Sequence, residues 1–120
     1  MKTKPTLTLD DTRRIAAAAE AEALRNNWAV SIAIADDGGH LLWLQRLDGA
    51  APISAQIAPA KAQTAAVGRR ESKVYEDMIN AGRHSFLSAP LTGMLEGGVP
   101  ILVDGQCVGA VGVSGVKSNE

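Results

Sequence analysis

Two pairs of short segments alternate large apolar residues with small or polar ones. Residues 28–35 and 40–47 form the first pair, joined by Asp36-Asp37-Gly38-Gly39. The second pair comprises residues 99–103 and 107–113, joined by Asp104-Gly105. A period of two is the spacing of a β-strand, and short Asp/Gly clusters are typical of tight turns. The pattern therefore predicts two β-hairpins.

Three further segments, 7–27, 53–68 and 71–80, have the composition and spacing of helices. Thr8 and Asp11 have the spacing of a capping box at the start of the first helix. Pro59 interrupts the second helix, so we expect either a kink or a helix start near Ala58.

The predicted order of elements is α-β-β-α-α-β-β, with a loop over residues 83–98. Two hairpins imply mainly antiparallel pairing, and we expect the helices to cover one face of the sheet. The fold class is therefore α+β, with residues 1–120 as a single domain. A loop as long as 83–98 is unusual in a compact domain and is often functional.

Composition and charge exclude several classes of protein. The 120 residues carry 12 basic and 13 acidic side chains, a net charge of −1, and four aromatic residues, which argues against nucleic acid as a partner. One cysteine, Cys107, excludes an intramolecular disulfide and a cysteine-based zinc site. No apolar run approaches the ~20 residues of a membrane span. The polar N-terminus does not resemble a signal peptide, so we expect a cytoplasmic protein.

The chain is rich in small residues, with 20 Ala and 12 Gly. Gly109 and Gly112 interrupt the last predicted strand, which suggests that a helix or a subunit partner approaches closely there. On the second helix, Lys61 shares one face with small residues, Ser54, Ala58, Ala62 and Ala65. Such a lysine either reaches over a cavity or extends to water. If buried, its amine becomes a possible base or nucleophile.

Two other places offer groups that bind carboxylates. Arg46 ends the second predicted strand, where its guanidinium would either clamp a carboxylate or pair with Asp48 to fix the loop. Gly97 and Gly98 precede a strand, and their amides form either an anion-binding nest or a structural turn. The two histidines, His40 and His84, are expected to be exposed, and no metal site is predicted.

These segments together resemble the GlcG/HbpS family, which includes the PduO C-terminal-like domains. The resemblance runs from Thr8 to Gly115. It rests on Leu7-Thr8-Leu9, Asp36-x-Gly38-Gly39, Arg46-x-Asp48-Gly49, Ser54-x-x-x-Ala58-x-x-Lys61-Ala62-x-Thr64-Ala65, Gly97-Gly98-Val99-Pro100-Ile101 and Val108-Gly-Ala-Val-Gly-Val-Ser-Gly115.

The resemblance implies a profilin- or PAS-like fold, an antiparallel sheet flanked by helices. Relatives usually continue with a closing acidic helix, so we expect the natural chain to extend past Glu120. The resemblance further implies that the protein binds haem, as some relatives do, often as large homo-oligomers, or that it belongs to a glycolate, propanediol or aromatic catabolic pathway, as other relatives do.

Three functions remain open from the sequence. The first is a small-ligand-binding accessory protein for haem or another tetrapyrrole, with a ligand site formed by Arg46, Lys61, Thr64, Gly97 and Gly98. The second is an enzyme acting on a small organic acid, with Lys61 as the candidate catalytic residue and Arg46 as the clamp. The third is an oligomerising scaffold without a ligand.

Overall fold

The computed structural model of the protein describes residues 1–116. It contains one four-stranded antiparallel sheet with strand order β2-β1-β4-β3, which confirms the predicted α+β class. The elements are α1 (Leu9–Arg25), β1 (Ser31–Asp36), β2 (Leu41–Arg46), α2 (Ser54–Gly68), α3 (Lys73–Asn80), a short 3₁₀ turn (His84–Ser88), β3 (Gly98–Val103) and β4 (Gln106–Ser114). The expected helix beyond Glu120 lies outside the described residues.

Helix α1 begins where the sequence predicts. The Thr8 hydroxyl accepts the amide of Asp11 at 3.1 Å, and the Asp11 carboxylate accepts the amide of Thr8 at 2.9 Å. This capping box satisfies two amide groups that the helix itself leaves free. Among residues 1–116, no helix has both the length and the apolar composition to cross a bilayer.

Helices cover both faces of the sheet, whereas the sequence led us to expect them on one. Strand β1 explains the difference, because its first five residues, 31–35, are all buried. Its large side chains, such as Ile32, belong to the cluster that includes Ala23 of α1. Its small side chains, such as Ala33, pack against Ala58 and Ala62 of α2. When one side of a buried strand is lined by small residues, large and small side chains still alternate along its sequence, although both sides are buried.

Helix α2 lies unusually close to the sheet. A Cβ added at Gly112 would overlap the carbonyl oxygen of Ala58, and one added at Gly98 would overlap the carbonyl oxygen of Lys61. Gly93, in the loop before β3, meets the backbone of Ala60 in the same way. The expectation that a helix crosses the glycine-containing last strand is confirmed at Gly112.

The second helix runs without interruption through its proline. It begins at Ser54, five residues before Pro59, so the alternative of a helix start near Ala58 is wrong. It ends at Gly68, and the residue that caps it, Arg69, has a left-handed φ of 57°. Gly68 leaves room for the ring of Tyr75, which contacts the position of its missing side chain.

Candidate functional site

The side chain of Lys61 is buried between α2 and the end of β4. Only 8% of the residue is exposed, and its Nζ donates a hydrogen bond of 3.1 Å to the carbonyl oxygen of Val113. The residue lies on the helix face that carries Ala58 and Ala62, where small side chains let the helix approach the sheet. Lysine is rarely buried to this degree unless its charge is matched.

The acceptor on Val113 is available because the pairing of β3 with β4 stops there. The last paired residues are Gly98 and Gly112, and the amide of Val113 still donates to the carbonyl oxygen of Gly97 at 3.0 Å. Gly97 has a φ of +130°, so the chain turns away at this point. Lys61 supplies the donor to Val113 one residue beyond the last pair of the ladder.

Ser72 fixes the Gly97–Gly98 segment. Its hydroxyl donates to the carbonyl oxygen of Leu95 and accepts the amide of Gly98 at 2.8 Å, and its own amide donates to the carbonyl oxygen of Gly98 at 3.0 Å. The amide of Gly98 is therefore occupied within the chain. This geometry agrees with the structural alternative for the two glycines, a turn that accommodates close packing against Lys61.

Two carboxylates influence the ammonium group of Lys61. Burial lowers the pKa of Lys61 below its usual value of 10.5, and the negative charges of Glu76 and Glu96 partly oppose that shift. Glu76 is held in place because its Oε2 accepts the amide of Glu96 at 3.1 Å. Neither carboxylate forms an ion pair with Lys61 within residues 1–116.

Arg46 lies at the same end of the sheet as Lys61. It is opposite Ser31 in the pairing of β1 with β2, and Ser31 is opposite Ser114 in the pairing of β1 with β4. The Nε of Arg46 donates to the carbonyl oxygen of Ala50 at 3.0 Å, which fixes the loop after β2. Within the described part of the chain the guanidinium forms no ion pair, with Asp48 or any other acid.

Thr64 is completely buried, and its hydroxyl donates to the carbonyl oxygen of Ala60 at 2.9 Å. The structure therefore brings Lys61, Gly97 and Gly98 into contact and places Arg46 two strands away at the same end, with β1 between β2 and β4. It places Thr64 in the packing between helix and sheet, with its hydroxyl already engaged.

Three polar residues of this region, Ser31, Ser72 and Glu76, were missed from the sequence. Ser31 is buried, and its hydroxyl oxygen is 2.8 Å from that of Ser54, which the sequence did place on the face of Lys61. Ser31 stands out as a polar residue in an otherwise apolar strand, and that signal was present in the sequence. Ser72 and Glu76 carry no such signal, because only the folded chain brings them to the Gly97 segment.

Lys61 lines none of three surface clefts, of about 330 to 420 Å³, that other residues form. Within residues 1–116, no three His, Cys, Asp or Glu side chains are grouped closely enough to hold a metal ion. His40 is exposed and bonds to Asp36, with 3.1 Å from its Nδ1 to Oδ1. Cys107 is buried, as expected of a small core residue.

Comparison with known proteins gives consistent matches along the chain. A family model described as "Haem degrading protein HbpS-like" matches residues 7–120. Protein GlcG of Escherichia coli K12 is 60% identical over 114 residues, which cover 95% of this chain and 85% of that protein. The crystal structure of Klebsiella pneumoniae protein ORFY superposes with a TM-score of 0.90 at 30% identity, covering 99% of this chain and 85% of that one. The PduOC:Heme complex superposes with a TM-score of 0.84 at 25% identity, covering 96% of this chain and 86% of that one.

Proposed function

The chain belongs to the HbpS-like family of haem degrading proteins, and on that premise we propose that it is a small-ligand-binding accessory protein whose ligand is haem or another tetrapyrrole. The similar PduOC structure is a haem complex, which supports this choice of ligand. We further propose that the protein acts in the cytoplasm as a homo-oligomer.

The buried ammonium group of Lys61 is the observation that carries this proposal. An ammonium group has three donors, and Lys61 donates one hydrogen bond, to Val113, within the described residues. A buried charge is costly unless it is paired and hydrogen-bonded. A carboxylate of a ligand would provide both the opposite charge and further acceptors.

Arg46 provides a second cation at the same end of the sheet. Because β1 separates β2 from β4, the backbones that carry Arg46 and contact Lys61 are about 10 Å apart. A tetrapyrrole with two propionates has carboxylates that can reach both cations. Arginine would bind its carboxylate in a bidentate manner, and lysine would bind as a compact charge.

The three clefts described above are not lined by Lys61 or Arg46, so the proposal takes the walls of the ligand site from more than one chain. Large apolar residues are nevertheless exposed near Arg46, among them Leu44 on β2 and Ile53 just before α2. In the proposed homo-oligomer, a second copy covers these residues and supplies the apolar wall that a macrocycle requires.

Titration with hemin tests the proposal. The wild-type protein should give a saturable shift of the Soret band, and Lys61→Met should weaken binding by about tenfold, the effect of removing a charge-assisted hydrogen bond. The matched control is Lys73→Met, which removes an exposed lysine from α3 and should bind as the wild type does.

Protoporphyrin dimethyl ester, which has no free carboxylate, should bind weakly to the wild type and to Lys61→Met alike. If the hemin spectra with protein are indistinguishable from those of a buffer blank, a tetrapyrrole is excluded as the ligand. Equal affinity of wild type and Lys61→Met for hemin would exclude the role of Lys61. Light scattering should also show an assembly of several chains.

The lowered pKa of Lys61 favours a second candidate, an enzyme acting on a small organic acid. A lysine whose neutral form is more accessible can act as a base or as an amine nucleophile, with Arg46 holding the substrate carboxylate. Turnover of lactate, glycolate or pyruvate should then be lost in Lys61→Ala while the melting temperature stays nearly unchanged. Turnover that persists in this variant would exclude Lys61 as the catalytic residue.

A further inference from the structure

A separate cleft of about 420 Å³ lies between α3 and the segment 87–95. Its volume falls within the range of roughly 300–1,000 Å³ that is typical of small-molecule pockets. The long loop before β3 forms one of its walls, so the cleft gives that loop a possible role. Lys61, Arg46 and Gly97 are not among its lining residues.

Apolar side chains form most of the cleft. Met94 is buried with 8% exposure, while Leu87 is 64% exposed and Leu95 is 42% exposed. The two exposed leucines and the buried methionine together form a concave apolar surface, which a ligand can cover. Each methylene that leaves water for such a surface contributes about 0.8 kcal/mol, or roughly a fourfold gain in affinity.

The cleft contains one charged side chain, that of Glu76. The carboxylate is already oriented, because its Oε2 accepts the amide of Glu96 at 3.1 Å. A carboxylate has about four acceptor positions, so most of its capacity remains for a ligand. Asn80 and Thr92 are the other polar residues of the lining.

The balance of charge around this carboxylate is negative. Glu76 and Glu96 carry two negative charges, and Lys61 is the cation whose charge they influence. Lys61 donates to the carbonyl oxygen of Val113 and is not among the residues that line the cleft. Arg83 does not line the cleft, and its guanidinium lies over the ring of Phe86, 4.7 Å from the centroid. The ligand that complements this arrangement is therefore a cation with an apolar body.

We propose that the cleft binds a small primary amine, with its ammonium group on Glu76 and its alkyl or aryl body against Leu87, Met94 and Leu95. The site is distinct from the one proposed for the tetrapyrrole, and its occupancy requires neither haem nor turnover. The two proposals can therefore fail separately.

Hexylammonium, hexanol and hexanoate form a matched set of probes with the same apolar chain and different head groups. Their binding can be followed through the methyl NMR signal of Met94, which lies inside the cleft. We expect hexylammonium to bind most tightly, hexanol more weakly and hexanoate most weakly. Butylammonium should bind more weakly than hexylammonium by roughly fourfold for each of the two missing methylenes.

Glu76→Gln should lower the affinity for hexylammonium by about tenfold and leave the affinity for hexanol unchanged, because the substitution removes only the charge. Asp77→Asn, on the same helix but outside the lining, is the control and should bind hexylammonium as the wild type does. Leu87→Lys changes an exposed residue, so it should fold normally, and its positive charge should also repel the amine.

Hexanoate that binds as tightly as hexylammonium would overturn the proposal, and so would equal losses in Glu76→Gln and Asp77→Asn. Failure of all three probes to move the Met94 signal at millimolar concentration would also overturn it. The proposal would then be wrong in either case, whether the cleft stays empty in solution or is covered by a second copy of the chain.

Discussion

The two faces of the sheet carry side chains of different size and have different structural roles. The face towards α1 carries large residues, including Ile32 of β1 and Val113 of β4, and forms an ordinary apolar core. The face towards α2 carries Ala33, Ala35, Ala110 and Gly112, and brings a helix backbone almost into contact with a strand. The first face stabilises the fold by burying area, and the second positions groups by close approach.

The position of Lys61 follows from the second face. Its Nζ reaches Val113 because α2 lies close against β4, and that approach requires Gly112 beneath Ala58. With a larger residue at position 112, the helix would move outward and carry the ammonium group away from its acceptor. The glycine and alanine content is thus a condition for the candidate site.

The largest effect should come from a cavity in the α1 face. Ile32 is fully buried, so Ile32→Ala should lower the free energy of unfolding by about 3 kcal/mol, as measured by urea denaturation. Leu24→Ala, on an exposed position of α1, should change it by about 0.5 kcal/mol. Equal losses in the two variants would contradict the description of this face as the main apolar core.

Overpacking of the α2 face should have the next largest effect. Gly112→Ala places a methyl group against the carbonyl oxygen of Ala58 and should cost about 2 kcal/mol, again by urea denaturation. Gly38→Ala is the control, because its new methyl group would be closest to the exposed ring of His40, a side chain that can move, and would meet the Oδ1 of Asp36 at an ordinary contact distance. If Gly112→Ala is as stable as Gly38→Ala, the close approach of α2 is not a requirement of the fold.

Loss of the buried serine contact should have a smaller effect. The Ser54 hydroxyl donates to the carbonyl oxygen of Ala51, so Ser31 is the donor in the pair of serines. Ser31→Ala should lower the free energy of unfolding by about 1 kcal/mol, as measured by urea denaturation. In a double-mutant cycle with Ser54→Ala, the coupling energy should be of the same size, and a coupling near zero would contradict this contact.

The pH dependence of stability should show the smallest effect. Burial holds the pKa of Lys61 in the folded protein below 10.5, so folding disfavours the charged form. The free energy of unfolding should therefore rise as the pH increases from the lowered pKa towards 10.5, because the unfolded chain binds more protons there.

Lys61→Met should lack this rise, whereas the control Lys73→Met should retain it. Urea denaturation at several pH values between neutral pH and 10.5 provides the comparison. Parallel curves for wild type and Lys61→Met would show that the ammonium group of Lys61 is not buried in solution.

The hairpins and helices could be predicted because local signals specify them. The capping box at Thr8 and the Asp/Gly turns act over a few residues, and the structure confirms both. Helices on both faces could not be predicted, because alternation in β1 also describes a strand with one exposed face. The deciding fact is that Ala33 and Ala35 are buried under α2, which depends on contacts distant in sequence.

The candidate site was predictable only in part. Lys61 could be singled out because a charged residue on a face of small residues is unusual. Arg46 and Gly97 could be singled out because they lie at the ends of predicted strands, where a guanidinium or a glycine amide can bind a carboxylate. Its acceptor, Val113, is 52 residues away along the chain, and Glu76 and Ser72 come from α3 and the residue before it. Tertiary contacts bring these groups together, and no local pattern specifies them.

The central claim is that the buried ammonium group of Lys61 receives a carboxylate of the ligand. NMR titration of ¹³C-labelled lysine measures its pKa directly, with and without zinc protoporphyrin as a diamagnetic substitute for haem. We predict a pKa below 10.5 in the free protein and a clear rise in the complex, because a carboxylate stabilises the charged form. An unchanged pKa of Lys61 in a saturated complex would contradict the account.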